Sequence, residues 1–166
     1  PFCIYLMVVL YQYALETERK PKEEHSMSVT FDKSLETGNE LIDQQHKELI
    51  DRVNKLLESC EQSNDKAVAV KTLDYLADYT DFHFSAEEQL QREIEYPGFA
   101  KHQEQHEAFR QTIKELDEML EEEEGPSNAF VQKVQENIVD WFYTHIQGFD
   151  RSVAEYKNMR ESNERL

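Results

Sequence analysis

The sequence contains little glycine, proline or cysteine, with four, four and two residues respectively among 166. Few glycines and prolines leave few sites for tight turns, so a fold made of many short strands and loops is disfavoured. The two cysteines, Cys3 and Cys60, are too few for a disulfide framework, which favours a reducing compartment. We therefore expect a cytoplasmic protein built from long helices joined by short turns.

Positive charge is also scarce, since 18 lysines and arginines stand against 35 acidic residues and the formal net charge is −17. A domain this acidic is repelled by nucleic acid and by anionic membrane surfaces, so neither is expected as a partner. The length suits a single domain with its own core.

The first 15 residues are mostly apolar, and a charged stretch follows over residues 16–24. A membrane span needs about 20 apolar residues, and a secretory signal needs a basic start and a small-residue cleavage site, which are not visible. We expect residues 1–26 to be either a non-native extension or a truncated apolar tail, with Met27 as a plausible native start. A membrane is an expected partner only if residues 1–15 are native. Residues 27–160 then form the domain, and residues 161–166 form a C-terminal tail.

Apolar residues recur at alternating steps of four and three, which is typical of helices that pack into a bundle. The pattern predicts helices over about residues 39–62, 65–95 and 100–123, and a fourth after the turn at residues 125–128. Pro97 is expected to end the second helix. Short connections between long helices favour antiparallel neighbours. The predicted fold is all-α, an antiparallel up-down-up-down four-helix bundle.

Five histidines and two acidic residues form an ordered pattern within these helices. One histidine on an apolar face is most often an ordinary core residue. Several inward histidines with a carboxylate among them are costly to bury unless something binds them, and the pattern therefore predicts a metal site. The predicted ligands are His46, His83, Glu87, His102, His106, His145 and Asp150.

Asp150 is the one predicted ligand that regular helix geometry does not place on an inward stripe. It follows His145 by five residues, or about 140° around an ideal helix, so the two side chains would point apart. We predict a π-type bulge or an interruption near Gly148 to Asp150, which the glycine would permit.

These motifs resemble those of the hemerythrin family, specifically its single-domain bacterial members, from about Phe31 through Tyr156. The matching motifs are Gly38 to Ile42-Asp43-x-Gln45-His46, His83-Phe84-x-x-Glu87-Glu88, Tyr96-Pro97, His102-x-x-x-His106-Glu107 and Trp141-x-x-x-His145-Ile146-x-x-x-Asp150. The resemblance implies a hemerythrin-like bundle that holds two iron ions bridged by an oxo or hydroxo group. It assigns His102, His106 and His145 to one iron, His46 and His83 to the other, and Glu87 and Asp150 to both.

The resemblance also implies one open position, on the iron with two histidines, where dioxygen would bind. Side chains adjacent to the ligands are expected to line this position and to exclude water, namely Leu49, Phe84, Trp141, Phe142 and Ile146. The family often has leucine where Phe142 stands, so we expect slower oxygen exchange in this chain.

The expected function is reversible dioxygen binding for transport, storage or delivery to an oxygen-using enzyme, and not catalysis. Two alternatives stay open: a di-iron enzyme that consumes peroxide or nitric oxide, and an oxygen or redox sensor with an attached signalling partner. The absence of an obvious acid or base beside the predicted ligands favours the carrier.

Overall fold

The computed structural model describes residues 28–62 and 65–164, and within these ranges it contains helices and no strand. Helix α1 spans Glu40–Gln62, α2 spans Lys66–Glu93 and α3 spans Phe99–Glu122. Short loops join them, and the predicted all-α antiparallel bundle is confirmed. Residues 1–26, for which we predicted an extension or tail, lie outside the described part of the chain.

The fourth helix, α4, begins at Asn128 and is not uniform along its length. Its second and fourth segments are π-helical, and the other three are α-helical. The five consecutive segments are Asn128–Val134, Gln135–Val139, Asp140–His145, Ile146–Asp150 and Arg151–Glu164. The predicted widening before Asp150 is therefore present, whereas the segment Gln135–Val139 was not predicted.

Side-chain caps fix where three of the helices begin. The Asn39 carboxamide oxygen accepts a hydrogen bond of 3.2 Å from the backbone N–H of Leu41, in the first turn of α1. Asp65 caps α2 by accepting from the N–H of residue 67 at 2.9 Å, and Ser127 caps α4 by accepting from the N–H of residue 130 at 3.1 Å. Such caps pair N–H groups that the helix itself leaves without acceptors.

Helix α2 ends at Glu93, two residues before the predicted end and before Pro97. Glu95 has a positive φ of 54°. Its N–H donates to the carbonyl of Arg92 at 3.1 Å, and the N–H of Tyr96 donates to the carbonyl of Gln91 at 2.8 Å. This pair of hydrogen bonds is the Schellman motif, usually built on glycine. Backbone hydrogen bonds therefore end α2, and Pro97 lies beyond the end of the helix.

The core divides into an apolar end and a polar end. The Nζ of Lys66 donates to the carbonyls of Glu121 and Glu123, which places the start of α2 beside the end of α3. The predicted histidines lie toward the opposite end, near the start of α1 and α3 and the end of α2. The apolar end is filled by fully buried side chains that include Leu56, Leu73, Leu76, Leu116, Leu120, Phe130, Val134 and Ile138.

Two positions that continue the apolar spacing of α2, Leu90 and Ile94, are only half-buried, and Gln91 is fully buried instead. An ideal α-helix drifts by about 20° per heptad relative to a repeat of 3.5 residues, so the buried face moves around a helix of this length. Ile94 also lies at the exposed end of the helix, as its C-cap.

Residues 28–39 pack across the bundle before α1 begins. The backbone N–H of Val29 donates to the carboxamide oxygen of Asn54 at 2.7 Å, and the Asn54 amide donates to the carbonyl of Val29 at 2.9 Å. Asp43 accepts from the N–H and the hydroxyl of Thr37 at 2.8 and 2.7 Å, so this first-turn acid anchors the preceding loop. Within residues 28–62 and 65–164, no helix has the length and apolar character needed to cross a membrane.

Candidate metal centre

All seven predicted ligands meet in the polar end of the core. Each is at most 3% exposed. They come from all four helices, so no single helix could form the cluster alone. Helix α1 contributes His46, α2 contributes His83 and Glu87, α3 contributes His102 and His106, and α4 contributes His145 and Asp150.

The potential ligand atoms fall into two groups that share one carboxylate. In each group the atoms lie within 4.8 Å of one another. Asp150 belongs to both groups, and so it stands between two positions at which an ion could be held. The larger group is Glu87, His102, His106, His145 and Asp150, and the smaller is His46, His83 and Asp150.

The distances between donor atoms suit an octahedral ion. Two cis ligands at about 2.1 Å from such an ion stand about 3 Å from each other. The Nε2 atom of His145 is 2.9 Å from Nε2 of His102 and 3.2 Å from Nε2 of His106. Nε2 of His102 is 3.1 Å from an Asp150 oxygen and 3.3 Å from a Glu87 oxygen. Three ring nitrogens and two carboxylates thus have the spacing of ligands around one ion.

The π-helical segment Ile146–Asp150 brings Asp150 to this cluster. One oxygen of its carboxylate is 3.1 Å from Nε2 of His145, and the other is 3.0 Å from Nε2 of His46. The predicted π-type bulge is therefore present. Its wider turn brings the side chain of Asp150, five residues after His145, onto the same face of the helix as that histidine. Gly148 is not needed for it: φ is not positive there, and a Cβ added to this residue would meet no atom within 4 Å.

The two carboxyls of the cluster favour their ionised forms. Burial raises the pKa of Asp150, but the neighbouring His145 and the His102 ring, whose Nε2 lies 3.1 Å away, hold it well below its usual range. Burial and the nearby Asp150 also raise the pKa of Glu87, yet the His102 and His106 rings, whose Nε2 atoms lie 3.3 and 3.4 Å away, lower it overall. Two negative charges therefore lie in the interior of the bundle.

The imidazoles respond in two ways to the same surroundings. Burial, reinforced by His46, lowers the pKa of His83 to about 3, and burial also lowers the pKa of His145. Burial opposes protonation of His102 too, but the Asp150 and Glu87 carboxylates, 3.1 and 3.3 Å from its Nε2, raise its pKa to about 9. Near neutral pH His83 and His145 are therefore uncharged, which is the form of imidazole that binds a metal ion.

The cluster also concentrates buried polar atoms without hydrogen bonds. Six of the nine such side-chain atoms among the described residues belong to it. Buried polar groups are otherwise almost always paired, because an unpaired one costs about 1–3 kcal/mol. The six are Nδ1 and Nε2 of His46, Nδ1 of His145, Oε2 of Glu87 and both carboxylate oxygens of Asp150. Donors of this number and type fit bound metal ions.

In three of the site histidines, Nδ1 is the outer nitrogen, meaning the ring nitrogen that faces away from the other ligands. Each of these three nitrogens contacts a residue that was not predicted as functional. Two of them, Gln45 and Gln91, are glutamines, which usually lie at the surface, so the residue type did not indicate a buried role. Gln91 does repeat the i, i+4 spacing of His83 and Glu87, and Gln45 and Glu88 each adjoin a predicted ligand. The pairs are His83 with Gln45 at 2.9 Å, His102 with Gln91 at 2.9 Å and His106 with Glu88 at 3.0 Å.

Aromatic rings cover two of the histidines. Phe84 stacks on His106 with ring centroids 3.8 Å apart, and Trp141 stacks on His145 at 4.1 Å. Phe149, which was not predicted, lies parallel to the His145 ring at 5.3 Å. The other side chains predicted to line a binding pocket, Leu49, Phe142 and Ile146, are buried at 0, 3 and 1% exposure.

Comparison with protein families gives a match over most of the chain. The family model described as the hemerythrin HHE cation binding domain matches residues 37–156. A bacteriohemerythrin from Stenotrophomonas maltophilia is 31% identical over 121 residues, which cover 73% of this chain and 76% of the relative. A bacteriohemerythrin from Aquifex aeolicus is 28% identical over 129 residues, covering 78% and 97%.

Solved structures match the fold. A wild-type hemerythrin crystal structure superimposes with a TM-score of 0.68 at 27% identity, covering 76% of this chain and 95% of that chain. A hemerythrin in which one leucine is replaced by tyrosine gives the same TM-score and identity, covering 77% and 96%.

Replacing Gly148 by alanine tests whether the π-helical segment depends on glycine. We expect Gly148→Ala to stabilise the protein by about 0.5–1 kcal/mol, because glycine in a helix interior costs that much relative to alanine. Gly38→Ala is the matched control, since a Cβ there would also meet open space but φ is +84°. That variant should be destabilised. Urea unfolding of both variants measures the difference, and a loss of stability in Gly148→Ala equal to that in Gly38→Ala would refute the prediction.

Proposed function

Because the chain belongs to the hemerythrin family, we propose that its buried cluster holds two iron ions and that the protein binds dioxygen reversibly. The observation that carries the proposal is the pair of ligand groups that share Asp150. The protein would then serve as a carrier or store of oxygen, or deliver it to an oxygen-using enzyme.

The proposed ligands divide between the ions as the two groups do. The larger group would supply three imidazoles to one ion, and His46 and His83 would bind the other. Asp150 contacts histidines of both groups, at 3.0 Å to His46 and 3.1 Å to His145, which supports a bridging role. Glu87 lies within the larger group and is the second proposed bridge.

The composition of the cluster favours iron over a structural zinc ion. Structural zinc sites are closed and four-coordinate, and most contain thiolates. Cys60 is instead a buried member of the apolar core. The cluster offers five imidazoles and two carboxylates, a set of nitrogen and oxygen donors that suits octahedral iron. Iron ions bound there would supply reversible electron transfer to dioxygen.

The surrounding side chains would keep water away from the bound ions. Phe84 and Trp141 lie flat against two of the histidine rings. Phe84 is fully buried and Phe142 nearly so. A shell of this kind lowers the local dielectric and would limit the access of water to the bound ions.

The same cluster gives little support for catalysis. In the part of the chain that the structure describes, every imidazole or carboxylate of the two ligand groups is itself a proposed ligand. None of them is left to transfer protons to a substrate, which a peroxide- or nitric-oxide-consuming enzyme would require. We therefore propose a carrier and not an enzyme.

Anaerobic reduction followed by oxygen titration tests this function. We expect two irons per chain and an optical spectrum that cycles as oxygen is added and removed. Asp150→Asn should lose at least one of the two irons, because the proposed bridge loses its charge. Asp140→Asn is the control, since it makes the same change at an exposed position of α4. One-way oxidation accompanied by turnover of peroxide or nitric oxide would contradict the carrier.

Replacing Phe142 by leucine tests whether this side chain restricts oxygen entry. Phe142 packs 5.2 Å from the Phe109 ring and 5.5 Å from the Trp141 ring. Leucine is smaller, so Phe142→Leu should raise the rates of oxygen association and dissociation together. Phe130→Leu is the control, because Phe130 is fully buried in the apolar end of α4. Stopped-flow spectroscopy gives both rates, and rates equal to those of the control variant would discard the proposal.

A further inference from the structure

In three of the site histidines the outer nitrogen, Nδ1, is hydrogen-bonded. The residues that contact these three nitrogens differ in charge. Nδ1 of His83 faces the carboxamide oxygen of Gln45 and Nδ1 of His102 faces the carboxamide nitrogen of Gln91, both neutral groups, whereas Nδ1 of His106 lies 3.0 Å from a carboxylate oxygen of Glu88. Nδ1 of the other two histidines, His46 and His145, has no hydrogen-bond partner in the described structure. Among the described residues, His106 is therefore the one site histidine whose outer nitrogen is paired with a carboxylate.

Glu88 is fixed in place by more than this one contact. Its second oxygen accepts a hydrogen bond of 3.2 Å from the Gln103 carboxamide. Guanidinium nitrogens of Arg92 and Arg110 lie 3.8 Å from its two oxygens. The Glu88 side chain is 10% exposed, and the His106 ring is fully buried. The carboxylate thus connects a buried site histidine to charged groups at the surface between α2 and α3.

The His106 ring has only one nitrogen left for the cluster. Its Nε2 lies 3.4 Å from a Glu87 oxygen and 3.2 Å from Nε2 of His145. With the proton on Nδ1 donated to Glu88, the Nε2 lone pair points at the cluster. Phe84 stacks on the same ring at an interplanar angle of 6° and prevents it from turning.

We propose that Glu88 is a positioning residue that makes His106 the strongest imidazole donor of the centre and lowers the reduction potential of the ion that His106 binds. This inference rests on the proposed function, in which the cluster holds iron. A carboxylate acceptor strengthens the hydrogen bond and gives the imidazole partial imidazolate character. A more negative ligand stabilises the higher oxidation state of its metal. The neutral amides at His83 and His102 exert a smaller effect.

Glu88→Gln is the main test, because it removes the charge and nearly preserves the shape. Affinity for zinc, measured by competition with a chromophoric chelator, should fall by about 10-fold or more, as is usual for loss of an outer hydrogen-bond partner. The reduction potential of the iron-loaded protein should rise. Glu104→Gln is the control, since it makes the same change at an exposed position of α3. Zinc affinity and potential equal to those of the control would overturn the proposal.

The opposite change provides a test that does not depend on how Glu88→Gln folds. Gln91→Glu places a carboxylate beside Nδ1 of His102 and should lower the reduction potential. An unchanged or raised potential in this variant would overturn the proposal.

Nitrogen-15 NMR of the metal-free protein adds a readout that requires no metal. The Nδ1–H of His106 should give a strongly downfield proton signal in the wild type, and that signal should move upfield in Glu88→Gln. A signal that stays in place would overturn the proposal. Failure of the wild type to bind any metal would instead refute the proposed function on which this inference rests.

Discussion

Two carboxylates that are ionised inside a helical bundle, those of Glu87 and Asp150, determine how the rest of the molecule is arranged. An isolated buried carboxylate costs several kcal/mol or takes up a proton. Here histidine nitrogens lie 3.0–3.4 Å from the carboxylate oxygens, yet one oxygen of Glu87 and both oxygens of Asp150 have no hydrogen-bond partner. The polar end of the core therefore suits a bound cation, and the apolar end supplies the packing that holds the four helices together.

Regular helix geometry does most of the positioning. On α2 and α3, residues four apart lie one above the other on the same face, so His83 with Glu87 and His102 with His106 reach the cluster without distortion. Asp150 needs the π-helical segment, and the open space around Gly148 shows that this segment does not require a glycine. Rigid elements of this kind hold donors in a fixed arrangement better than loops do. The outer partners and stacked rings then fix each imidazole.

The bundle and the convergence of the seven side chains could be predicted, because the spacing of the residues along the sequence determines both. A period near 3.6 shows which histidines face inward, and the five-residue step to Asp150 required a wider turn. Other features left no such trace. Glu95 ends α2 in a conformation that usually signals itself through glycine. The apolar pattern runs through Gln135–Val139 without a break, although that segment is π-helical. Gln45 and Gln91 are buried and each lies 2.9 Å from a histidine nitrogen, a pairing that a single sequence does not reveal.

Anomalous diffraction from crystals of the protein, recorded on both sides of the iron absorption edge, measures most directly whether the cluster is a two-ion iron centre. A two-ion iron centre should give two iron peaks per chain in the polar end of the bundle. One should lie among the Nε2 atoms of His102, His106 and His145, the other beside His46 and His83, and Asp150 should contact both. A single peak, peaks outside the cluster, or a signal at the zinc edge alone would contradict it.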